Sequence, residues 1–155
     1  WRLGAAIGPR HVIEIIAKLN TNIESCTTHF IQRAMVEAID GDTSGPDFIL
    51  NQLRARRDAA VAGLNAIDGI SIATPNSTFY LYPNVNTVME RKNLTDVNQL
   101  MDGALEHSDV SFCTRMHFGR ALENEQNHYI RFAYSGIDIP DIEEGMGRLK
   151  TYFES

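Results

Sequence analysis

Apolar residues recur at helical spacing in five stretches of this chain and alternate with polar ones in five shorter stretches. After Pro9, which suits a first helical turn, Val12, Ile15, Ile16 and Leu19 fall on one face and predict a helix over "GPRHVIEIIAKLN". Phe30, Ile31, Ala34 and Ala38 make a second stripe beyond Thr28. The longest periodic run is "PDFILNQLRARRDAAVAGLNAI", with Phe48, Leu50, Leu53, Val61 and Leu64 on one side and charges on the other. A helix of that length extends about 30 Å, enough to link two domains. "LTDVNQLMDGALEHS", which Thr95 could cap, and "IPDIEEGMGRLKTYF", with Ile142, Met146, Leu149 and Phe153 on one face, complete the helices. Strands are expected at Arg2 to Ile7, "GISIAT", "TFYLYPNV", "DVSFC" and "HYIRFAYSG".

The clearest break is "DGDTSGP", dense in turn formers. One strand and two helices precede it, and strands mixed with helices follow, as in a small α+β domain. The expected organisation is therefore a first part at residues 1–45, a long linking helix at 46–66 and a second part at 67–155. The first part is too small to bury both faces of its strand, so its other strands are expected to lie elsewhere and residues 1–45 to expose an apolar face.

Composition changes this picture little. The 155 residues are 43% hydrophobic and 22% charged, as in an ordinary globular chain. A net charge of −6 argues against wholesale binding to nucleic acid or an anionic membrane. Arg54, Arg56 and Arg57 read as a solvated helix face. Two distant cysteines without CxxC spacing, no apolar run of membrane length and no signal-like N-terminus suggest a reduced, cytoplasmic protein.

Candidate chemistry is sparse. Cys113 and His117 are four apart, with His128 further on, which is two metal ligands at best where zinc needs four. Cys113 reads better as a small buried hydrophobe at a strand end. "GAAIG" lacks the spacing of a phosphate-cradling loop. Two arginines in apolar settings are more informative. In "YIRFAYS" alternation places Ile130, Phe132 and Tyr134 on one face and Arg131 on the other, with Tyr129, Ala133 and Ser135. A guanidinium there must find an anion or reach water, and Arg2 in "WRLGAAIG" poses the same question. On the residues alone, a structural ion pair and an exposed head group both remain open for each.

Taken together, three segments resemble the C-terminal part of class I/II pyridoxal-phosphate aminotransferases of the aspartate aminotransferase type (fold type I). "WRLGAAIGPRHVIEII" is similar to the family's Trp-Arg-(Leu/Ile)-Gly stretch, and "STFYLYPNV" to its Gly-(Ala/Thr)-Phe-Tyr strand after the interdomain helix. "HYIRFAYSG" is similar to its (Ile/Val)-Arg-(Leu/Phe)-(Ser/Ala)-(Tyr/Phe) strand, with "IPDIEEGMGRL" as the final helix. The likeness runs over nearly the whole chain in the right order. It implies an α/β and α+β fold: the last strand and helices of the large PLP-binding domain at 1–45, the interdomain helix at 46–66 and the small C-terminal domain at 67–155.

The resemblance also implies roles. Arg2 would grip the phosphate of pyridoxal 5'-phosphate, and Arg131 would take the α-carboxylate of an amino-acid or 2-oxo-acid substrate in a bidentate pair. The family's Schiff-base lysine stands eight residues before that first arginine, a position that precedes Trp1. Lys18, Lys92 and Lys150 are the chain's lysines, and each reads as a solvated charge. The expectation is thus a fragment of a homodimeric, cytoplasmic enzyme of amino acid metabolism, with no catalytic residue of its own and inactive alone. Cys113 and Thr114 replace a common Pro-Gly, "NSTFY" lacks the usual glycine, and "LNTNIESC" offers no arginine for a distal carboxylate. A strict aspartate preference is therefore not supported. The alternatives are a PLP-dependent carbon–sulfur lyase of the same fold, or a non-catalytic domain binding small anions or a partner protein.

Overall fold

Helices form where the 3.6-residue stripes run, and a computed structural model of the chain, describing residues 2–120 and 123–155, shows them in order. They are α1 (Arg10–Ile23), α2 (His29–Asp40), α3 (Ser44–Asn65), α4 (Asn86–Arg91), α5 (Val97–Ser108) and α6 (Ile139–Glu154). Three short strands, β1 (Tyr80–Leu81), β2 (Cys113–Thr114) and β3 (Ile130–Ala133), lie among them, and a 3-10 turn (Arg115–Phe118) follows β2. The chain separates into two compact units, Trp1–Pro46 and Asp47–Ser155.

In the first unit, α1 and α2 bury no residue. Ile15, Leu19 and Ile23 on α1, and Phe30, Val36 and Ile39 on α2, are exposed. Each helix is amphipathic, so the stripe that would face a core in a globular protein faces outward. Residues 2–9 have no regular structure, and Ile7 is 98% exposed. The buried strand expected from Arg2 to Ile7 is therefore absent. A strand exists only through a hydrogen-bonded neighbour, and no described segment pairs with this one. Trp1 lies outside the described residues.

The second unit carries the core. β3 is central in the order β1-β3-β2, antiparallel to both neighbours, with Tyr80 opposite Ala133, Leu81 opposite Phe132, Cys113 opposite Arg131 and Thr114 opposite Ile130. The period of two puts Ile130, Phe132 and Tyr134 inward, as alternation predicts, and leaves Arg131 on the other face half-buried. Behind the sheet, α5 and α6 pack on each other, and Leu64, Leu100, Ile142, Leu149 and Phe153 are fully enclosed. Phe112 meets Phe132 and Phe153 edge-on at 5.2 and 6.4 Å, a favoured aromatic geometry.

Several local expectations are corrected. "GISIAT" forms no strand: the Asn65 side chain satisfies both the N–H and the C=O of Ile72, at 2.9 and 3.1 Å, in place of a ladder partner. Asp96, not Thr95, caps α5, its carboxylate accepting from the Asn98 N–H at 2.9 Å. The apolar stripe of α3 is buried only at Ala60, Val61 and Leu64, while Phe48, Ile49 and Leu50 stay exposed. Nor are Arg56 and Arg57 a solvated face. Arg56 donates to the Ser135 carbonyl at 2.7 Å and to Asp138 at 2.6 Å, and Arg57 to the Pro75 carbonyl at 3.3 Å. They tie α3 to the chain leaving β3 and to the chain entering β1.

Candidate functional site

The outer face of the sheet is built around Arg131. Its guanidinium carbon lies 4.2 Å from the centroid of the Tyr80 ring and 4.4 Å from that of Phe118. Tyr80 comes from the neighbouring β1, and Phe118 from the turn after β2. Arg131 also donates to the Sγ of Cys113, its partner across β2, at 3.7 Å. Cys113 is thus half-buried and turned to the arginine, not the enclosed hydrophobe expected. Among the described residues no carboxylate pairs with Arg131.

This arrangement removes one of the open readings. A structural ion pair needs a carboxylate at Arg131, and none is present among the described residues. Two aromatic faces instead orient the planar cation and strip part of its water, each cation–π contact contributing about 0.5–1 kcal/mol. The result is a guanidinium held in place, with one donor on Cys113 and no carboxylate partner among the described residues. Its five donors match the two oxygens of a carboxylate.

The neighbouring loop is held by Arg115, which pairs with Glu125 at 2.9 Å with both side chains largely buried. It also donates to the Gly119 and Arg120 carbonyls at 3.2 and 2.9 Å. Tyr82 stacks on Tyr129 at 5.1 Å with the rings 9° from parallel. Burial pushes the Tyr82 phenol up, and the charge of Arg115 partly offsets this. His117 closes the turn after β2: its Nδ1 lies 3.0 Å from Thr114 Oγ1 and accepts from the Thr114 N–H at 3.2 Å. His117 Nδ1 is engaged in that cap. Tyr80, Phe118 and Arg115 were not foreseen from the sequence. Only their places in "STFYLYPNV" and "FCTRMHFG" pointed to them.

Arg2 belongs to the first unit. It is exposed on the irregular 2–9 segment, and among the described residues no acidic side chain pairs with it. Of the lysines, Lys18 is exposed on α1 and Lys150 lies 3.9 Å from Glu154. Lys92 is not the solvated charge expected. It is half-buried over the Tyr152 ring at 4.0 Å, and burial, with a smaller contribution from Arg91, lowers its pKa.

The family model for aminotransferase class I and II matches residues 1–149. The chain belongs to the class I and II aminotransferases. It is 29% identical over 154 residues to an asparagine–oxo-acid transaminase of Streptococcus mutans and 25% identical over 154 residues to an aspartate aminotransferase of Sulfurisphaera tokodaii. Each alignment covers 99% of this chain and 37% of the relative, so the chain spans little more than a third of those proteins. The solved aspartate aminotransferase of Rhizobium meliloti superposes with a TM-score of 0.75 over 95% of this chain and 36% of that one, at 24% identity. That likeness shows the fold, which is the PLP-dependent fold type I expected from the three segments. Among the described residues of this aminotransferase chain, no helix is long and apolar enough to cross a membrane.

Proposed function

We propose that this chain is the substrate-carboxylate-binding portion of a pyridoxal-phosphate-dependent aminotransferase that moves an amino group between an L-amino acid and a 2-oxo acid. The observation that carries this reading is Arg131, held against the rings of Tyr80 and Phe118 and without a carboxylate partner among the described residues. Every substrate of such a reaction bears an α-carboxylate. A guanidinium already oriented for a bidentate pair binds it with little reorganisation.

Arg2 fits the cofactor's phosphate in chemistry: it is permanently charged, accessible and unpaired among the described residues. The cofactor, when bound, supplies the electron sink for the amino-group exchange. What this chain contributes is binding: Arg2 to hold a phosphate, Arg131 to fix the carboxylate, and the Arg115–Glu125 pair to hold the loop beside it. Residues 1–45 are read as large-domain structure, α3 as the interdomain helix and 67–155 as the small domain. The expected homodimer and cytoplasmic location belong to the same reading.

Neither Lys92 nor Lys150 joins Arg131 in the second unit, and the chain alone is expected to show no transamination. The decisive assay uses the full-length polypeptide containing this chain. Amino transfer that requires a 2-oxo acid, with affinity for the amino acid reduced by Arg131→Leu, supports the proposal. Pyruvate release from a cysteine conjugate without any 2-oxo acid would establish the lyase instead. Measurable turnover by the 155-residue chain would refute its dependence on groups outside it.

A further inference from the structure

Arg115 opens the 3-10 turn that ends in Phe118, and each of its three guanidinium nitrogens has a partner. Nε lies 2.9 Å from Glu125 Oε1, and the two terminal nitrogens donate to the Gly119 carbonyl at 3.2 Å and the Arg120 carbonyl at 2.9 Å. A planar fork suits such a set, because its donors leave in fixed directions and can hold several acceptors at once. Arg115 already has a carboxylate, so it is not a second receptor like Arg131. Its contacts are spent on shaping the chain.

What they shape is the exit from Phe118. The Phe118 ring is 45% exposed, so core packing does not fix it, yet its centroid lies 4.4 Å from the guanidinium carbon of Arg131. The turn is fastened at both ends instead. Thr114 and His117 close its start. At its exit Gly119 has a φ of 118°, a conformation open to glycine, and the Gly119 carbonyl is one of those that Arg115 grips. The Arg115 backbone N–H also donates to the Tyr129 carbonyl at 3.1 Å, just before β3 begins. One residue thus ties the turn that carries Phe118 to the strand that carries Arg131.

We infer that Arg115 is a positioning residue for the substrate carboxylate: its grip on Glu125, Gly119 and Arg120 sets the Phe118 ring against Arg131 and so aims that guanidinium. The inference rests on the reading of Arg131 as the carboxylate receptor. A bidentate pair requires the guanidinium plane to align with the carboxylate, and a ring free to leave its face lets the plane rotate. Arg115 itself touches no substrate. Its effect passes through Phe118.

The test uses the full-length polypeptide containing this chain. Substituting Arg115 alone takes the cation from a largely buried carboxylate and endangers folding, so Arg115→Met is combined with Glu125→Gln to remove both charges. This double variant is expected to raise KM for the amino acid about two- to fivefold, the worth of one cation–π contact, with kcat nearly unchanged. In a Phe118→Leu background the same two substitutions should add nothing, because the ring through which Arg115 acts is gone. A role in stability alone would add its effect in either background. The Arg131 Nε–H NMR signal supplies a readout that needs no substrate: the double variant and Phe118→Leu should both shift it in the same direction, away from aromatic shielding. An unchanged KM, an equal effect in the Phe118→Leu background, or an unmoved Arg131 signal would overturn the inference. If Arg131→Leu leaves amino-acid affinity unaltered, the carboxylate reading falls and takes the substrate role of Arg115 with it. If Arg131→Leu weakens affinity and the double variant does not, the inference about Arg115 alone is overturned.

Discussion

Replacing Arg131 by leucine separates a receptor from a structural cation. If Arg131 were half of a buried ion pair, removing it would leave an uncompensated carboxylate, at a cost of about 3–5 kcal/mol. No such carboxylate is found among the described residues, and what the substitution removes is two cation–π contacts, to Tyr80 and Phe118. At about 0.5–1 kcal/mol each at a half-exposed site, the loss is about 1–2 kcal/mol. Leucine recovers part of this by burying apolar surface between the same two rings. A net destabilisation of at most about 2 kcal/mol follows, or a fall in Tm of roughly 4–8 °C for a chain of this size. All five tyrosines lie in the Asp47–Ser155 unit, so tyrosine near-UV circular dichroism during urea unfolding reports on that unit alone. Binding should respond far more strongly. Loss of a bidentate charge-assisted pair weakens carboxylate affinity of the full-length enzyme by about 1.5–3 kcal/mol, roughly 10- to 150-fold. A stability loss above about 3 kcal/mol, or unchanged affinity for the amino acid, would refute the reasoning.

Three further predictions rest on the packing of the second unit. A methyl group at Gly103 would sit 2.0 Å from the Tyr152 hydroxyl, so Gly103→Ala must displace that ring from α5 and should cost about 1–3 kcal/mol in urea unfolding. Asp96→Ala should cost about 1 kcal/mol by losing the α5 cap, whereas Thr95→Ala should change stability by less than about 0.5 kcal/mol; the reverse order would contradict the capping geometry. Burial raises the phenols of Tyr82, Tyr134 and Tyr152 above their ordinary value of 10.0. The unfolded chain therefore ionises first, and stability contributed below pH 10 is lost as pH rises beyond it, which a pH series of urea midpoints will show. A midpoint that rises between pH 10 and 11 would contradict those environments.

Periodicity alone sufficed for the long helices, because a 14- to 22-residue stripe repeats its signal over several turns and neighbouring residues supply it. It also assigned Arg131 to the outward face of its strand, since strict alternation leaves no other choice. Strands were another matter. Arg2 to Ile7 and "GISIAT" carry strand-like composition, yet neither is a strand here, because pairing depends on residues distant in sequence. Asn65 taking both backbone groups of Ile72 is a contact that no local pattern announces. The site divides in the same way. Arg131 was legible as a cation in an apolar strand that needed an explanation. Its contacts with the Tyr80 and Phe118 rings, and the hydrogen bond to Cys113, arise where segments some 50, 18 and 13 residues away converge, as sheet pairing dictates. Lys92 shows the limit most plainly: in "MERKN" it is an ordinary charged residue, and only the approach of α6 lays the Tyr152 ring beneath its ammonium. Local spacing decides which way a side chain points, and the tertiary fold decides what it meets there.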